Sequence, residues 1–319
     1  MFRGLRLAPD GRPRPDAPFG RGPLAAKVLS RVIRASVWGG SRVPDSVANW
    51  LAILGGHLEW MARPRKRAIL ATNLAHAVTA GGPSVRQLVR REFVNEAHRS
   101  ADLLWALGRP AEFLARTDLI GIEHALGVAA GVRGMILSGV HIGGWELATT
   151  IPDAVLPART SALVTDDWLA WAIQGMRNDA GLHVVYRTEP MWRIGQLLRS
   201  GEALVLLSDH TTGPSNRMAR VRFLDAAADL PLGVATLARL YQVPIVSFVV
   251  VRVGRRRWRV IIDAPMEPPA RLAGRGADGE TLQRLADRWS EFIREYPDQW
   301  AMPYPIAWRP SGASVSEPG

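Results

Sequence analysis

The chain has 319 residues and is 47% hydrophobic, enough apolar material for one large or two modest domains with a buried core. It contains no cysteine, which excludes disulfides, thiolate metal sites and a cysteine nucleophile and fits a reducing compartment. A formal net charge of +11 favours an anionic partner, such as phospholipid headgroups, nucleic acid or a phosphorylated carrier or cofactor. The abundance of Ala, Gly, Arg and Pro is equally typical of a GC-rich genome.

The N-terminal part is predicted to be helical after a disordered leader. Residues 1–23 are rich in Pro, Arg and Gly and show no secretory signal. Residues 24–117 contain helical patterns only, beginning with a basic amphipathic stretch at 24–37. A long helix is predicted over 84–107, where Ser84 supplies an N-cap.

The segment 43–61 comes nearest to a membrane span. It carries charged residues and a central pair of glycines, and no run of eighteen uncharged apolar residues occurs in the chain, so a simple span is not expected. We interpret the segment as an amphipathic or buried helix. Trp38, Trp50 and Trp60 suit a membrane interface, where amphipathic aromatic side chains collect, and they suit core packing equally well.

From residue 118 onward the pattern predicts an α/β structure. Short β-rich runs occur at 134–140, 160–164, 183–186, 203–208, 245–251 and 258–262. Helical patterns accompany them at 145–151, 168–180, 191–199, 232–241 and 278–296. This alternation predicts a three-layer α/β sandwich with a mostly parallel central sheet, flanked by the all-helical N-terminal region. The last two strands follow each other closely and predict an antiparallel hairpin at one end.

These boundaries predict a single domain over residues 24–308. Its helical part is 24–117 and its α/β part is 118–308. A disordered tail is expected at 309–319.

The most informative motif lies where the first strong β run ends. His141 is followed by Gly143 and Gly144, and Glu146 then opens a predicted helix. If the glycines bend the backbone, the imidazole and the carboxylate converge at the carboxyl end of the strand, with Glu146 in a favourable place at the helix N-terminus. A histidine oriented by an acid is a typical general base for removing a proton from a hydroxyl. The alternative is a packed loop histidine and an ordinary helix charge.

A second strand run ends in Asp209 and His210. Ligands of open α/β sheets bind beyond the carboxyl ends of the strands, so these residues and His141 are candidates for one cleft. Turn formation after residue 208 explains Asp209 and His210 equally well. Arg177 and Arg187 flank the run at 183–186 and are candidates for binding an anion, or else solvated surface charges.

The sequence lacks the motifs of several other kinds of functional site. The seven histidines show no ligand spacing for zinc, so no metal site is expected. Neither a phosphate-binding loop nor the nucleophile elbow of a serine hydrolase occurs.

Taken in order, the motifs of residues 65–308 resemble those of the bacterial lysophospholipid-type acyltransferases of the lipid A biosynthesis group, which includes phosphatidylinositol mannoside acyltransferases. Five motifs carry the resemblance. The first three are a basic helix leading to Asn73-Leu74, the H-x-x-x-x-E pattern from His141 to Glu146, and a strand ending in Asp209. The other two are an aromatic residue before a helix opened by Pro and Gly (222–239) and the sequence Pro-Asp-Gln-Trp at 297–300.

The resemblance implies an O-acyltransferase that moves a fatty acyl group from a thioester to a hydroxyl of a membrane glycolipid or phospholipid. Acyl-coenzyme A or acyl carrier protein is the expected co-substrate, with no further cofactor. His141 is expected to be the general base and Glu146 its partner. Backbone N–H groups of Gly143 and Gly144 are expected to stabilise the oxyanion.

Substrate contacts are expected from six residues: Arg177, Arg187, Asp209, His210, Phe223 and Asp225. Three positions depart from the family pattern. His210 stands where Gln or Arg is usual, Leu224 follows Phe223 in the aromatic pair, and Asp225 replaces a glycine.

The expected location is peripheral, on the cytoplasmic face of the inner membrane, with positive charge and amphipathic helices holding the chain to anionic lipid. Two rival hypotheses remain at this stage. An esterase or thioesterase would use the same pair to activate water. A basic nucleic-acid-binding protein is the other, although the Lys and Arg residues are scattered and no base-reading motif accompanies them. The acceptor lipid, the carrier and the acyl chain length do not follow from the motifs.

Overall fold

The computed structural model describes residues 23–131, 133–147, 155–164, 183–210 and 217–309. The predicted leader, the predicted tail beyond residue 309 and the predicted helix at 168–180 lie outside these ranges. Most of the predicted helix at 145–151 does so as well.

Five helices precede the central sheet and confirm the helical N-terminal region. They are α1 (Pro23–Gly40), α2 (Asp45–Ala62), α3 (Pro64–Leu74), α4 (Val85–Gly108) and α5 (Pro110–Ala115). Helix α4 is the central one and contacts the other four. Its start is fixed by a capping box in which Ser84 and Gln87 exchange side-chain and backbone hydrogen bonds. Gly56 lets α2 approach closely, since a Cβ there would lie 2.6 Å from Val94 Cα.

The main sheet has seven strands in the order β1-β9-β8-β2-β5-β3-β4. Its strands are β1 (Thr117–Ile120), β2 (Met135–Gly139), β3 (Thr160–Val164), β4 (His183–Tyr186), β5 (Ala203–Leu207), β8 (Ile245–Gly254) and β9 (Arg257–Ile262). All neighbouring pairs are parallel except the β8–β9 hairpin. Helices α6 (Ile122–Ala130), α7 (Met191–Arg199), α8 (Gly233–Tyr241) and α9 (Gly274–Glu295) complete the layers. The predicted α/β class and the predicted hairpin are confirmed.

The central strands are continuous apolar runs because both faces of the sheet are covered. In β2, Ile136 joins the core on one face of the sheet, whereas Met135 and Leu137 join the core on the other. In β8, Val249 and Val250 divide in the same way. Burial of successive residues on opposite faces is the physical reason that these runs lack polar alternation.

A second sheet, which the sequence did not predict, packs against helix α9. It has three antiparallel strands in the order β10-β7-β6, namely β6 (Met218–Phe223), β7 (Ala226–Pro231) and β10 (Ala307–Arg309). Strand β6 is Arg-rich, β7 is Ala-rich and β10 has three residues, so none shows the β-branched alternation on which a strand prediction depends. The four-residue strand β1 was missed for the same reason.

Asn73, at the end of α3, ties the C-terminal segment to the helical region. Its amide nitrogen donates to the carbonyl oxygens of Met302 and Tyr304, both at 2.9 Å, and its side-chain oxygen accepts from Trp308 Nε1 at 2.9 Å. The asparagine is buried. One side chain therefore satisfies three polar groups, all of them more than 220 residues away in the chain.

Replacing Asn73 with alanine is expected to lower the free energy of unfolding by at least about 2 kcal/mol, because buried polar groups without partners cost about 1–3 kcal/mol each. Urea unfolding measures the change. The control is Thr72→Ala, one residue earlier, where only an exposed hydrogen bond within the helix is lost. Equal stability of the two variants would contradict the assigned role.

Candidate active site

His141 and Asp209 lie side by side because they follow neighbouring parallel strands at the same offset. Gly139 of β2 is paired with Leu207 of β5. Two residues further along each strand, the chain reaches His141 and Asp209, beyond the carboxyl edge of the sheet. The two strand ends therefore lie together, as the sequence predicts, and their use as one functional site stays a prediction.

Asp209 is the hydrogen-bonding partner of the His141 ring. Its Oδ1 lies 2.6 Å from His141 Nδ1, and its Oδ2 accepts from the backbone N–H of His141 at 2.9 Å and from Trp300 Nε1 at 3.0 Å. Because the Asp209 carboxylate can only accept a hydrogen bond, Nδ1 of His141 is the donor. In neutral His141 the ring proton therefore lies on Nδ1, and Nε2 carries the lone pair. The His141 side chain is 21% exposed and Asp209 is 0% exposed.

The Asp209 carboxyl is held in its ionised form. Burial by itself raises the pKa of this group, but the His141 charge and the hydrogen bonds from His141 and Trp300 outweigh it and bring the pKa below its usual value. The site therefore places a negative charge against Nδ1 of an imidazole whose Nε2 carries the lone pair.

The sequence predicts Glu146 as the orienting acid and Asp209 as a substrate contact. In the structure the carboxylate on Nδ1 is Asp209. Glu146 lies in the turn after Gly144 and has contacts of its own. A role for Glu146 in the chemistry stays a prediction.

The loop after His141 is held rigidly by its backbone. Gly143 has φ +55, and a Cβ there would lie 2.1 Å from Val250 O, so only glycine fits. The N–H groups of Gly143 and Gly144 donate to Gln299 O at 2.8 Å and Val250 O at 2.6 Å. Both N–H groups are therefore engaged in holding the loop, and the expectation that they stabilise an oxyanion is not supported.

Two further side chains support this loop and were not singled out from the sequence. Buried Arg99 of α4 donates to Gly143 O at 3.2 Å. Gln299 exchanges side-chain hydrogen bonds with the Arg252 backbone, at 2.8 and 2.9 Å. Long-range partners of this kind leave no local signal, although the Pro-Asp-Gln-Trp motif did mark the segment that contains Gln299 and Trp300.

His210 lies at the edge of the same site. Its ring centroid is 6.4 Å from that of His141, and it stacks on Tyr304 at 4.3 Å with the two planes 2° apart. Burial, the His141 charge and Arg187 lower its pKa, against an opposing effect of Asp209, so the ring is neutral at pH 7. Arg187 follows β4 and is near enough to contribute to this shift. Trp145 packs edge-on to His141 at 5.1 Å.

The other predicted contacts are spread more widely. Phe223 is fully buried, and its ring centroid lies 5.8 Å from that of Trp300. It is therefore connected to the site only through its packing against Trp300 in the core. Asp225 lies in the two-residue turn between β6 and β7, where positive φ angles suit Asp, and it pairs with Arg294. Substrate contact by Phe223 or Asp225 stays a prediction. Arg177 lies outside the described residues.

The fold and site define an α/β protein with a histidine–aspartate pair at the carboxyl edge of a mostly parallel sheet. Most of the chain, residues 36–305, matches the family model of bacterial lipid A biosynthesis acyltransferases. The chain belongs to this family, and the family implies acyl transfer in lipid biosynthesis. Comparison with curated proteins returned no match.

Replacing Trp300 with phenylalanine is expected to destabilise the protein by about 1.5–3 kcal/mol beyond the loss of ring contacts, because a hydrogen bond to a charged group disappears. The matched control is Trp289→Phe, since Trp289 is equally buried but its Nε1 has no hydrogen-bond partner in the described part of the chain. Urea unfolding of both variants provides the comparison. A loss for Trp300→Phe no larger than that for Trp289→Phe would refute the role of the indole.

Proposed function

We propose that the protein transfers a fatty acyl group from an acyl thioester, carried by coenzyme A or acyl carrier protein, to a hydroxyl of a membrane glycolipid or phospholipid. The observation that carries the proposal is the His141–Asp209 pair in a chain of the lipid A biosynthesis acyltransferase family. The pair has the geometry of a general base with its orienting acid.

In the proposed reaction His141 Nε2 accepts the proton of the acceptor hydroxyl while the hydroxyl oxygen attacks the thioester carbonyl carbon. The resulting tetrahedral intermediate collapses, the carbon–sulfur bond breaks, and the thiolate takes the proton from the imidazolium. The products are an ester and a thiol. Asp209 stays ionised throughout and stabilises the imidazolium through Nδ1, as its lowered pKa allows.

Membrane association is the second part of the proposal, and helix α2 supports it. Its exposed side chains include Val47, Trp50, Leu51, Leu54, Leu58 and Met61, which share one helical face. Trp50 is 61% exposed and Leu58 is 52% exposed, whereas Ala52 and Gly56 are buried. No helix in the described part of the chain has the length and hydropathy to cross a membrane.

An apolar helix face on a protein with net charge +11 suits binding to the surface of an anionic bilayer. The acceptor lipid would then be presented from the bilayer on which the protein sits. We propose the cytoplasmic face of the inner membrane as the location, since acyl-coenzyme A and acyl carrier protein are cytoplasmic donors.

His141→Ala is expected to lower acyl transfer by about 10²–10⁴-fold, the usual contribution of a general base. Asp209→Asn keeps the shape but removes the charge behind the imidazole, so a loss in the same range is expected. Glu146→Gln is expected to lose less activity, because Asp209 already accepts the hydrogen bond from His141 Nδ1. Transfer of labelled palmitoyl groups to a bacterial lipid extract is the measurement.

Mass spectrometry of lipids from cells that express the wild type or His141→Ala identifies the acceptor. Thioester cleavage that proceeds equally well without any lipid acceptor would show a thioesterase instead. If Asp209→Asn keeps full activity while Glu146→Gln loses it, the acid in the mechanism is Glu146.

The double substitution of Leu51 and Leu58 by Glu is expected to weaken binding to phosphatidylglycerol-containing vesicles by at least about tenfold, because each leucine contributes on the order of 1 kcal/mol of apolar burial. Vesicle co-sedimentation measures the binding. Glu at Leu240 and Leu272 adds the same charge at exposed positions off this face and is the control. Equal weakening in both proteins would mean that net charge, rather than the α2 face, governs binding.

A further inference from the structure

The reaction proposed above needs a hydrogen-bond donor for the oxygen that becomes negative in the tetrahedral intermediate. A buried, pre-positioned donor is among the largest contributions to such catalysis. The obvious candidates, the N–H groups of Gly143 and Gly144, are already bonded to Gln299 and Val250 carbonyls. The donor therefore has to come from another group beside His141.

His210 is such a group. Its Nε2 is shielded from solvent and has no hydrogen-bond partner among the residues that the structure describes. A buried nitrogen without a partner is unfavourable, so such a group in a folded protein calls for an explanation. An incoming oxygen atom would supply the missing partner.

The position of His210 fits this use. The two ring centroids lie 6.4 Å apart, close enough for one reacting group to contact both rings. A reacting group between the rings would thus have its alcohol oxygen near His141 and its carbonyl oxygen near His210. Tyr304 stacks on the His210 ring and fixes its plane, and Tyr304 is itself 47% exposed, so a surface side chain borders the site.

The charge state also fits. Burial, the His141 charge and Arg187 all disfavour the protonated form of His210, which lowers its pKa, while Asp209 opposes them. The ring is thus a neutral imidazole with a single proton. A neutral donor does not compete with His141 for the acceptor proton, and it does not place a second positive charge beside the imidazolium that forms there.

We propose that His210 is a catalytic residue that donates a hydrogen bond from Nε2 to the thioester carbonyl oxygen as this oxygen becomes an oxyanion. The assignment rests on the proposed acyl transfer and adds the oxyanion donor to it. The His210 proton stays on Nε2: the carbonyl π electrons move to oxygen when the hydroxyl attacks, and they return when the thiolate leaves.

Two isosteric substitutions test the role of Nε2. In His210→Gln the amide nitrogen reaches the position of Nε2, whereas in His210→Asn the amide falls short, near the position of Nδ1. We expect His210→Asn to lower kcat by about 10²–10³-fold with little change in KM, because an oxyanion donor acts in the transition state. We expect His210→Gln to keep most of the rate. His124→Asn, in α6, is the histidine control.

Inhibitor binding gives a second measurement that does not depend on turnover. A palmitoyl-pantetheine analogue in which a difluoromethylene ketone (–CO–CF2–S–) replaces the thioester hydrates to a tetrahedral gem-diol, whereas the matching thioether has no carbonyl oxygen. His210→Asn should weaken binding of the ketone and leave binding of the thioether unchanged. Thermal unfolding of each variant identifies a general loss of structure, which would weaken both ligands together.

The two proposals fail in different ways. Absence of acyl transfer by the wild type to any lipid acceptor would end the proposed function. Normal transfer by the wild type together with an unchanged kcat in His210→Asn would overturn the role of His210 alone. Equal losses in His210→Gln and His210→Asn, with unchanged discrimination between the two inhibitors, would also overturn it.

Discussion

The site is organised around one buried carboxylate. Asp209 is fully inaccessible to solvent and accepts hydrogen bonds from the His141 ring, the His141 backbone and the Trp300 indole. A buried charge is tolerated only when it is well paired and hydrogen-bonded, so these three donors are a condition for placing the carboxylate there. The same three bonds fix the tautomer of His141 and attach the loop after β2 to the segment that carries Trp300.

The helical N-terminal region is joined to this site by polar contacts as well as by packing. Arg99 of α4 donates to Gly143 O, and Asn95 of α4 donates to Asp298 O at 2.6 Å. Asp102 of α4 pairs with Arg252 at 3.0 Å. Helix α4 also packs against α2, which carries the exposed apolar face. One helix thus connects the proposed membrane surface with the loop that holds His141.

The high positive charge is partly a structural feature of the fold. Arg239 pairs with buried Asp278 at 2.7 Å, and Arg288 pairs with Asp263 at 2.8 Å. Arginine suits such sites because its planar fork binds a carboxylate through two donors. The net excess of +11 remains after such pairing. Membership in an acyltransferase family agrees with lipid as the anionic partner and argues against the nucleic-acid-binding hypothesis.

The sequence by itself determined the α/β class, most long helices and the strands that are apolar on both faces, because these depend on local periodicity and capping. It also determined that His141 and Asp209 each follow a strand. Only the tertiary structure decided that Asp209 is the partner of His141, because β5 lies next to β2 in the sheet although β3 and β4 come between them in the chain. Asp209 is distant from His141 in the chain, so the sequence favoured the nearer carboxylate, Glu146, as its partner. The Trp300 indole, 91 residues beyond Asp209, and the engaged N–H groups of Gly143 and Gly144 likewise depend on long-range packing, for which the local sequence carries no signal.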